Sequence, residues 1–288
     1  MRLGKFAASR LHFEEGCAIY DPISHRLLVD QAGVHPQVVS QGELGIVLFC
    51  LGFPEQALAC TKAAIAEARA LAHPPSLAVS SASGTILFSL VGDDAALDQA
   101  AHEIAAVATE HGFPLWGAWG TIYQGWLQVK NASAPKGMLH LRNGLTAYQA
   151  SGADTWMPHF LSLLAKACEI SGQAEEGLSL LNDALQIVER TGEGWLTAEL
   201  NRHKGQLLLS LGHTEAAQEL YRRALCIARE QEAKLWELRA AVGLSRLRRD
   251  QGHRVEAREL LAPVYAWFTE GFDTQDLKEA KALLDELA

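Results

Sequence analysis

Apolar and polar residues alternate along this chain with helical spacing, and glycines interrupt the pattern at a fixed interval. Gly52, Gly92, Gly172, Gly212 and Gly252 lie on one 40-residue lattice, whose single empty node falls at Ala132, behind Asn131. A period of this size marks a repeat architecture. After each node comes a segment rich in Ala and Leu, such as AALDQAAHEIAAVATE or TEAAQELYRRALCIARE, and before each node lies another, such as AELNRHKGQLLLSL. The unit therefore reads as helix A, a tight turn centred on Gly, helix B and a short connection. The turn calls for a residue that tolerates positive φ, which Gly does without a Cβ clash.

Small residues keep the same register. Five residues after the node stand Ala57, Gly137, Gly177, Ala217 and Ala257, with Leu97 as the exception. Seven before the node stand Gly45, Gly125, Ala165, Gly205 and Ser245. Small residues on both helices let the pair pack closely. Valine is expected to cost more at the nodes Gly172 and Gly212, which need positive φ, than at Gly137, which needs only small volume. This is the tetratricopeptide pattern in a unit somewhat longer than usual. The expected fold is all-α: a right-handed solenoid of about six helix-turn-helix units, with residues 37–271 as the array. Residues 1–36 supply a partial repeat, one helix B with its linker, and 272–288 a capping helix opened by Asp273 as N-cap. Lacking a helix A, residues 1–35 with Phe6 and Leu11 are expected to open easily. Trp116, Trp156 and Trp236 share one lattice register and Trp195 is one residue off it, which suits indoles that staple one unit to the next.

Composition agrees with helix, since Leu and Ala together supply roughly a third of the 288 residues. A formal charge of −9 opposes binding to nucleic acid or to an anionic membrane surface. The longest apolar run, Leu44 to Phe53, is about half of a bilayer span. No secretory signal is visible, and five scattered cysteines without a C-x-x-C pair suit a reducing compartment, so a cytoplasmic location is expected.

Chemistry is hard to find. No GxxxxGK[ST] loop occurs, and Gly192-Glu193-Gly194 opens like a dinucleotide loop but has Thr197 at the third Gly position. His102-Glu103 starts a zinc-binding helix, yet Ala106 replaces the second ligand. We expect no catalytic residue, cofactor or metal, and no enzyme activity.

The segments HFEEGCAIYDPISHR (12–26), HGFPLWGAWGTIYQGWL (111–127), EEGLSLLNDALQIVERTGEGWLTAELNRHKGQLLL (175–209) and the ending from Trp236 to Leu287, with its GFDT, are familiar. They resemble the C-terminal tetratricopeptide region of large bacterial signalling proteins. In that family an adenylate or guanylate cyclase domain, or a winged-helix module, precedes an AAA-type, STAND-like ATPase and then the repeats. The resemblance implies a signalling role and carries no catalytic residue onto this chain. It leaves an alternative open: a fragment of a larger cyclase-like or ATP-binding transcriptional regulator.

What remains is a surface. In tetratricopeptide arrays helix A lines the concave face. The early units place Val39, Ile46, Phe49, Val79, Ile86, Trp119, Ile122 and Trp126 there; from His159 on the face turns polar, with Lys166, Glu169, Glu199, Arg202, Gln206, Arg239, Arg246 and Arg249. The candidate partner-binding residues are Trp119, Trp126, His159, Lys166, Arg202, Arg239, Arg246 and Arg249. The expected partner is a protein or peptide, an acidic one included, or an ATPase or cyclase domain in cis, with neither nucleic acid nor membrane involved.

Overall fold

A computed structural model describes residues 1–21, 28–131 and 134–288, so the empty node Ala132 and positions 22–27 of the Asp21–Pro36 connection lie outside the described residues. Among the described residues every regular element is helical: α1 Phe6–Ile19, α2 Leu28–Ala32, α3 Pro36–Leu51, α4 Pro54–Leu71, α5 Pro74–Val91, α6 Asp94–His111, α7 Pro114–Lys130 and α8 Ala134–Ala150. There follow α9 Met157–Ile170, α10 Ala174–Thr191, a 3₁₀ turn Gly194–Leu196, α11 Thr197–Ser210, α12 Thr214–Glu230, α13 Lys234–Asp250, α14 Arg254–Ala266 and α15 Gln275–Glu286. Odd-numbered helices from α3 are the A helices of the repeats and even-numbered ones the B helices. The result is a tetratricopeptide-like helical solenoid.

The turns explain the lattice. Gly52, Gly92, Gly172, Gly212 and Gly252 all have positive φ, between 73° and 96°. A second lattice, offset by half a unit, closes the B-to-A connections: Gly112, Gly152 and Gly192 sit in the same left-handed region, joined there by Ala72 and Glu232. A left-handed residue thus punctuates the backbone about every 20 residues.

The small residues do what their register implies. A Cβ on Gly125 would lie 2.9 Å from the carbonyl oxygen of Gly137, and one on Gly137 would lie 2.7 Å from that of Gly125 and 2.5 Å from the amide of Val129. One on Gly205 would lie 3.2 Å from the Ala217 oxygen, and Ser245 donates its hydroxyl to the Ala257 oxygen at 3.0 Å. Backbone meets backbone at the α7–α8 crossing. By contrast, a Cβ on Gly172 or Gly212 meets nothing within 4 Å. The expected ranking therefore reverses: Gly137 is bounded by immovable atoms, while the nodes carry conformational strain alone.

Contacts divide the chain into two compact units. The early unit comprises Ala7–Phe49 and Glu55–Asp154; the late unit comprises Met1–Phe6, Cys50–Pro54 and Thr155–Ala288. In the early unit α5 is 18 residues long and apolar enough in composition to cross a membrane, beyond what the Leu44–Phe53 run suggests, but 67% of it is buried in the protein. It packs against α6 and α7 as a core helix.

In the late unit the first residues are tied down. Trp195 donates its backbone N–H to the Arg2 carbonyl at 3.0 Å, the Arg2 guanidinium reaches Thr155 and lies 5.3 Å from the Trp156 ring, and Phe6 is fully buried. This corrects the expectation that Phe6 lacks a partner, whereas Leu11 is indeed exposed. At the other end the N-cap of α15 is Thr274 rather than Asp273. Leu277, Ala280, Leu283 and Leu284 form the buried stripe of that helix.

Candidate functional site

The indoles of the late unit form a column. Trp156 and Trp195 meet edge to face at 5.4 Å, Trp195 and Trp236 lie 6.5 Å apart, and Trp236 Nε1 donates to the Trp195 carbonyl. Trp156 has φ +69°, unusual for a side chain of that size, and its N–H is held by the Glu193 carboxylate at 3.1 and 3.2 Å. These rings link successive B-to-A connections, in keeping with stapling.

Beside the column, the A helices carry one hydrogen-bonded chain of charged groups. Arg202 holds both oxygens of Glu199, through Nε at 2.7 Å and Nη2 at 2.9 Å, and gives Nη1 to Gln206. Gln206 donates to Glu169, whose other oxygen pairs with His203 Nε2 at 2.9 Å. On the far side Arg239 Nη1 approaches Glu199 at 3.5 Å, while its Nε and Nη2 bind Asp276 of α15 at 2.7 and 2.8 Å. The Arg239 guanidinium also lies over Trp236, 5.1 Å from the ring centre. Lys166 completes the group, with Nζ 3.8 Å from Glu199. Four successive A-type helices, α9, α11, α13 and α15, are laced together by this chain.

Glu199 is only 3% exposed, and three cations surround it. Burial pushes its carboxyl up, but Arg202 and Arg239 hold it well below the usual carboxylate range. His159, 1% exposed and 5.7 Å from the Trp195 ring centre, is pushed down to about 3 by burial and by Lys166, so it is a neutral imidazole at ordinary pH. His203 is lowered by burial, partly offset by its bond to Glu169.

The structure thus brings His159, Lys166, Arg202 and Arg239 into one neighbourhood. Arg246 and Arg249 sit further along α13, where Arg246 binds Glu279 at 2.9 Å and Arg249 binds Asp250 and Glu286. The α15 carboxylates that pair with Arg239, Arg246 and Arg249, namely Asp276, Glu279 and Glu286, were not among the sequence candidates. The signal for them is present: opposite charges recur about one repeat apart, as in Glu199–Arg239 and Arg239–Asp276.

Trp119 and Trp126 belong to the early unit and are buried there. Trp119 packs against Trp116, Tyr123 and Tyr148 and donates Nε1 to Thr85 at 2.8 Å, and Trp126 lies under Lys130. Ile46, Phe49, Ile86 and Ile122 are buried too. The apolar A face is packing. Among the described residues no group of three or more His, Cys, Asp or Glu is placed to hold a metal ion.

A tetratricopeptide repeat family model matches residues 157–230, the stretch from α9 to α12 that holds most of the network. Uncharacterized protein R02095 of Rhizobium meliloti (strain 1021) is 24% identical over 216 residues, which is 75% of this chain and 21% of that protein. The chain therefore spans about a fifth of the length of this curated relative. Two solved structures share the fold. One is the apo form of RapI, at TM-score 0.57 and 10% identity, over 97% of this chain and 91% of that one. The other is the STAND (signal transduction ATPase with numerous domains) protein PH0952 of Pyrococcus horikoshii, which has a tetratricopeptide repeat sensor. It aligns at TM-score 0.53 and 11% identity, over 87% of this chain and 38% of that one. Repeats of this class are interaction scaffolds and typically non-catalytic.

Proposed function

We propose that this chain is the sensing or docking array of a bacterial signalling protein, and that a protein or peptide partner binds the A-helix face of α9, α11 and α13. The observation that carries this reading is the placement of charge. Charges withdrawn from water are expensive unless paired, yet one repeat face gathers six charged groups, Glu199 buried and the rest half-buried, while the corresponding face of the early unit is apolar and largely buried. Arg246, at 46% side-chain exposure, Arg249, at 29%, and Lys166, at 27%, are the candidate cations of this face most open to acidic groups of a partner.

The likeness to a STAND protein supports an ATPase in cis as the element that such a sensor would inform, and the much greater length of the curated relative favours an array working beside other domains. A cyclase or ATP-binding regulator is the alternative form of that larger assembly. A cytoplasmic setting belongs to the same proposal and is supported by five free cysteines.

The test is retention of a partner from cell extract by the wild type and by a Lys166→Gln, Arg246→Gln double variant, at low and moderate salt. Loss of retention in the variant, and a salt dependence confined to the wild type, support the reading. Equal retention by a folded variant moves the docking site elsewhere.

A further inference from the structure

We propose that the early unit holds a small-molecule site: a cleft bounded by α4, α5 and α6 that takes a small carboxylic acid with a single-ring apolar body, its carboxylate on Lys62. This inference goes beyond the docking proposal and does not depend on it.

The repeat register shows why a cleft opens here. One position of helix A and two of helix B hold small residues in most units, and the α5–α6 unit alone enlarges all three, to Thr85, Leu97 and Ile104. These three side chains are fully buried. Larger side chains at a crossing set two helices further apart, and beside this one lies a cleft of about 180 Å³. Its floor is apolar, made by Ile65 of α4, Phe88 of α5 and Ala100 of α6, all buried. Gly84 lets the first two converge, since a Cβ there would lie 2.8 Å from Ile65 Cδ1 and 3.2 Å from Phe88 Cε2.

The polar groups around that floor divide into committed and uncommitted ones. Arg69 lines the cleft, but its Nε and Nη2 bind Glu103 at 2.7 and 3.1 Å, and Ser81 donates to the same carboxylate at 2.7 Å. Asp98 pairs with His102 along α6. Lys62 lies two turns before Arg69 on the same face of α4, about 10 Å away along the axis. It lines the cleft together with Gln99 of α6; both are exposed, and neither has a hydrogen-bond or ion partner among the described residues.

The ligand follows from these parts. Arg69 is already neutralised, so an unpaired ammonium beside an uncommitted amide calls for a single negative charge that also accepts hydrogen bonds, which a carboxylate supplies. The apolar floor calls for an apolar body, and the Phe88 ring gives it an aromatic surface to pack on. An apolar cavity of about 150 Å³ admits benzene, so this cleft has room for one ring on a short acidic arm.

The experiment titrates phenylacetate into the full chain carrying ¹³C-labelled isoleucine methyls and follows the Ile65 signal, identified by its loss in Ile65→Val. A saturable shift is expected, with Kd on the order of a millimolar for a ligand of about ten non-hydrogen atoms. The neutral analogue 2-phenylethanol, which lacks the charge, and acetate, which lacks the ring, should each bind at least about fivefold more weakly. Lys62→Gln should weaken phenylacetate by about fivefold and leave 2-phenylethanol unchanged. Ala96→Leu, which fills the cleft from a half-buried position on α6, should abolish the saturable shift while far-UV circular dichroism stays that of the wild type. An Ile65 signal that phenylacetate does not move saturably up to about twenty times that Kd overturns the proposal, as does a neutral analogue that binds equally well; both readings need only the wild type. Equal phenylacetate affinity in the Lys62→Gln variant also overturns it.

Discussion

The A helices of the two units share one backbone plan and carry opposite chemistry. In the early unit the polar groups of α5 are short hydroxyls: Ser80 donates to the Leu77 carbonyl, Thr85 to Ala82 and Ser89 to Ile86 within the helix, while Ser81 donates to Glu103 of α6 and Thr85 accepts from Trp119 of α7. In the late unit the register positions of Val79, Ala82 and Ile86 carry long charged side chains, Glu199 and Arg239, Arg202, and Lys166 and Arg246, which reach from one A helix to the next because an unpaired charge at depth would be untenable. A repeat therefore leaves its A face free to vary, provided that the turns and the crossing points are kept. That freedom is where function enters a solenoid.

The crossing points should be the most sensitive. Gly137→Val places a branched side chain against the Gly125 carbonyl and the Val129 amide, which only a helix shift can relieve. We expect a loss of about 3 kcal/mol or more, against about 1–2 kcal/mol for Gly172→Val, where only the left-handed backbone objects. Urea midpoints of the two variants check the ranking, and equal losses would mean that crossing and turn matter alike.

Next comes the network. Glu199→Ala leaves three cations around an empty position and is expected to cost about 3 kcal/mol. Ser81→Ala in the early unit, which removes one hydrogen bond to Glu103, should cost about 1 kcal/mol. If the two losses are similar in denaturant titrations, the late face is no more committed than the early one.

Acid should act through His159. Its folded pKa, near 3, lies below the ordinary value near 6.5, so the unfolded chain takes up a proton that the native chain refuses. The stability is present above the unfolded value and is lost as pH falls below it. Between pH 7 and pH 5 this one residue should account for a decline of about 2 kcal/mol. His159→Phe, packed beside Phe160 and Trp195, should remove that part of the slope and leave the smaller share due to His203. An unchanged slope would place the acid sensitivity elsewhere. The smallest effect is expected for Arg246→Ala, whose exposed pair with Glu279 should be worth under about 1 kcal/mol.

Much of the fold was legible in the chain. The glycine lattice located the A-to-B turns, and the small residues at Gly125 and Gly137 located the crossing. The second lattice was missed because Ala72 and Glu232, two of its five members, look like ordinary helix residues although both have positive φ. The arginines were found, but their pairing was not. Arg239 looks free along its own helix, and the Asp276 that binds it lies 37 residues away on an element reading as a simple cap. Trp119 and Trp126 were misjudged for a related reason: helix periodicity shows which face a residue occupies, but not whether that face is open.

On the proposed reading, partners meet the charged A face of α9, α11 and α13 and not the apolar A face of α3, α5 and α7. Hydrogen–deuterium exchange of the full chain, alone and with the partner retained in the capture experiment, tests it most directly. Exchange is expected to slow on binding in residues 157–170, 197–210 and 234–250, with 36–51, 74–91 and 114–130 unchanged. Protection confined to the latter three helices would contradict it.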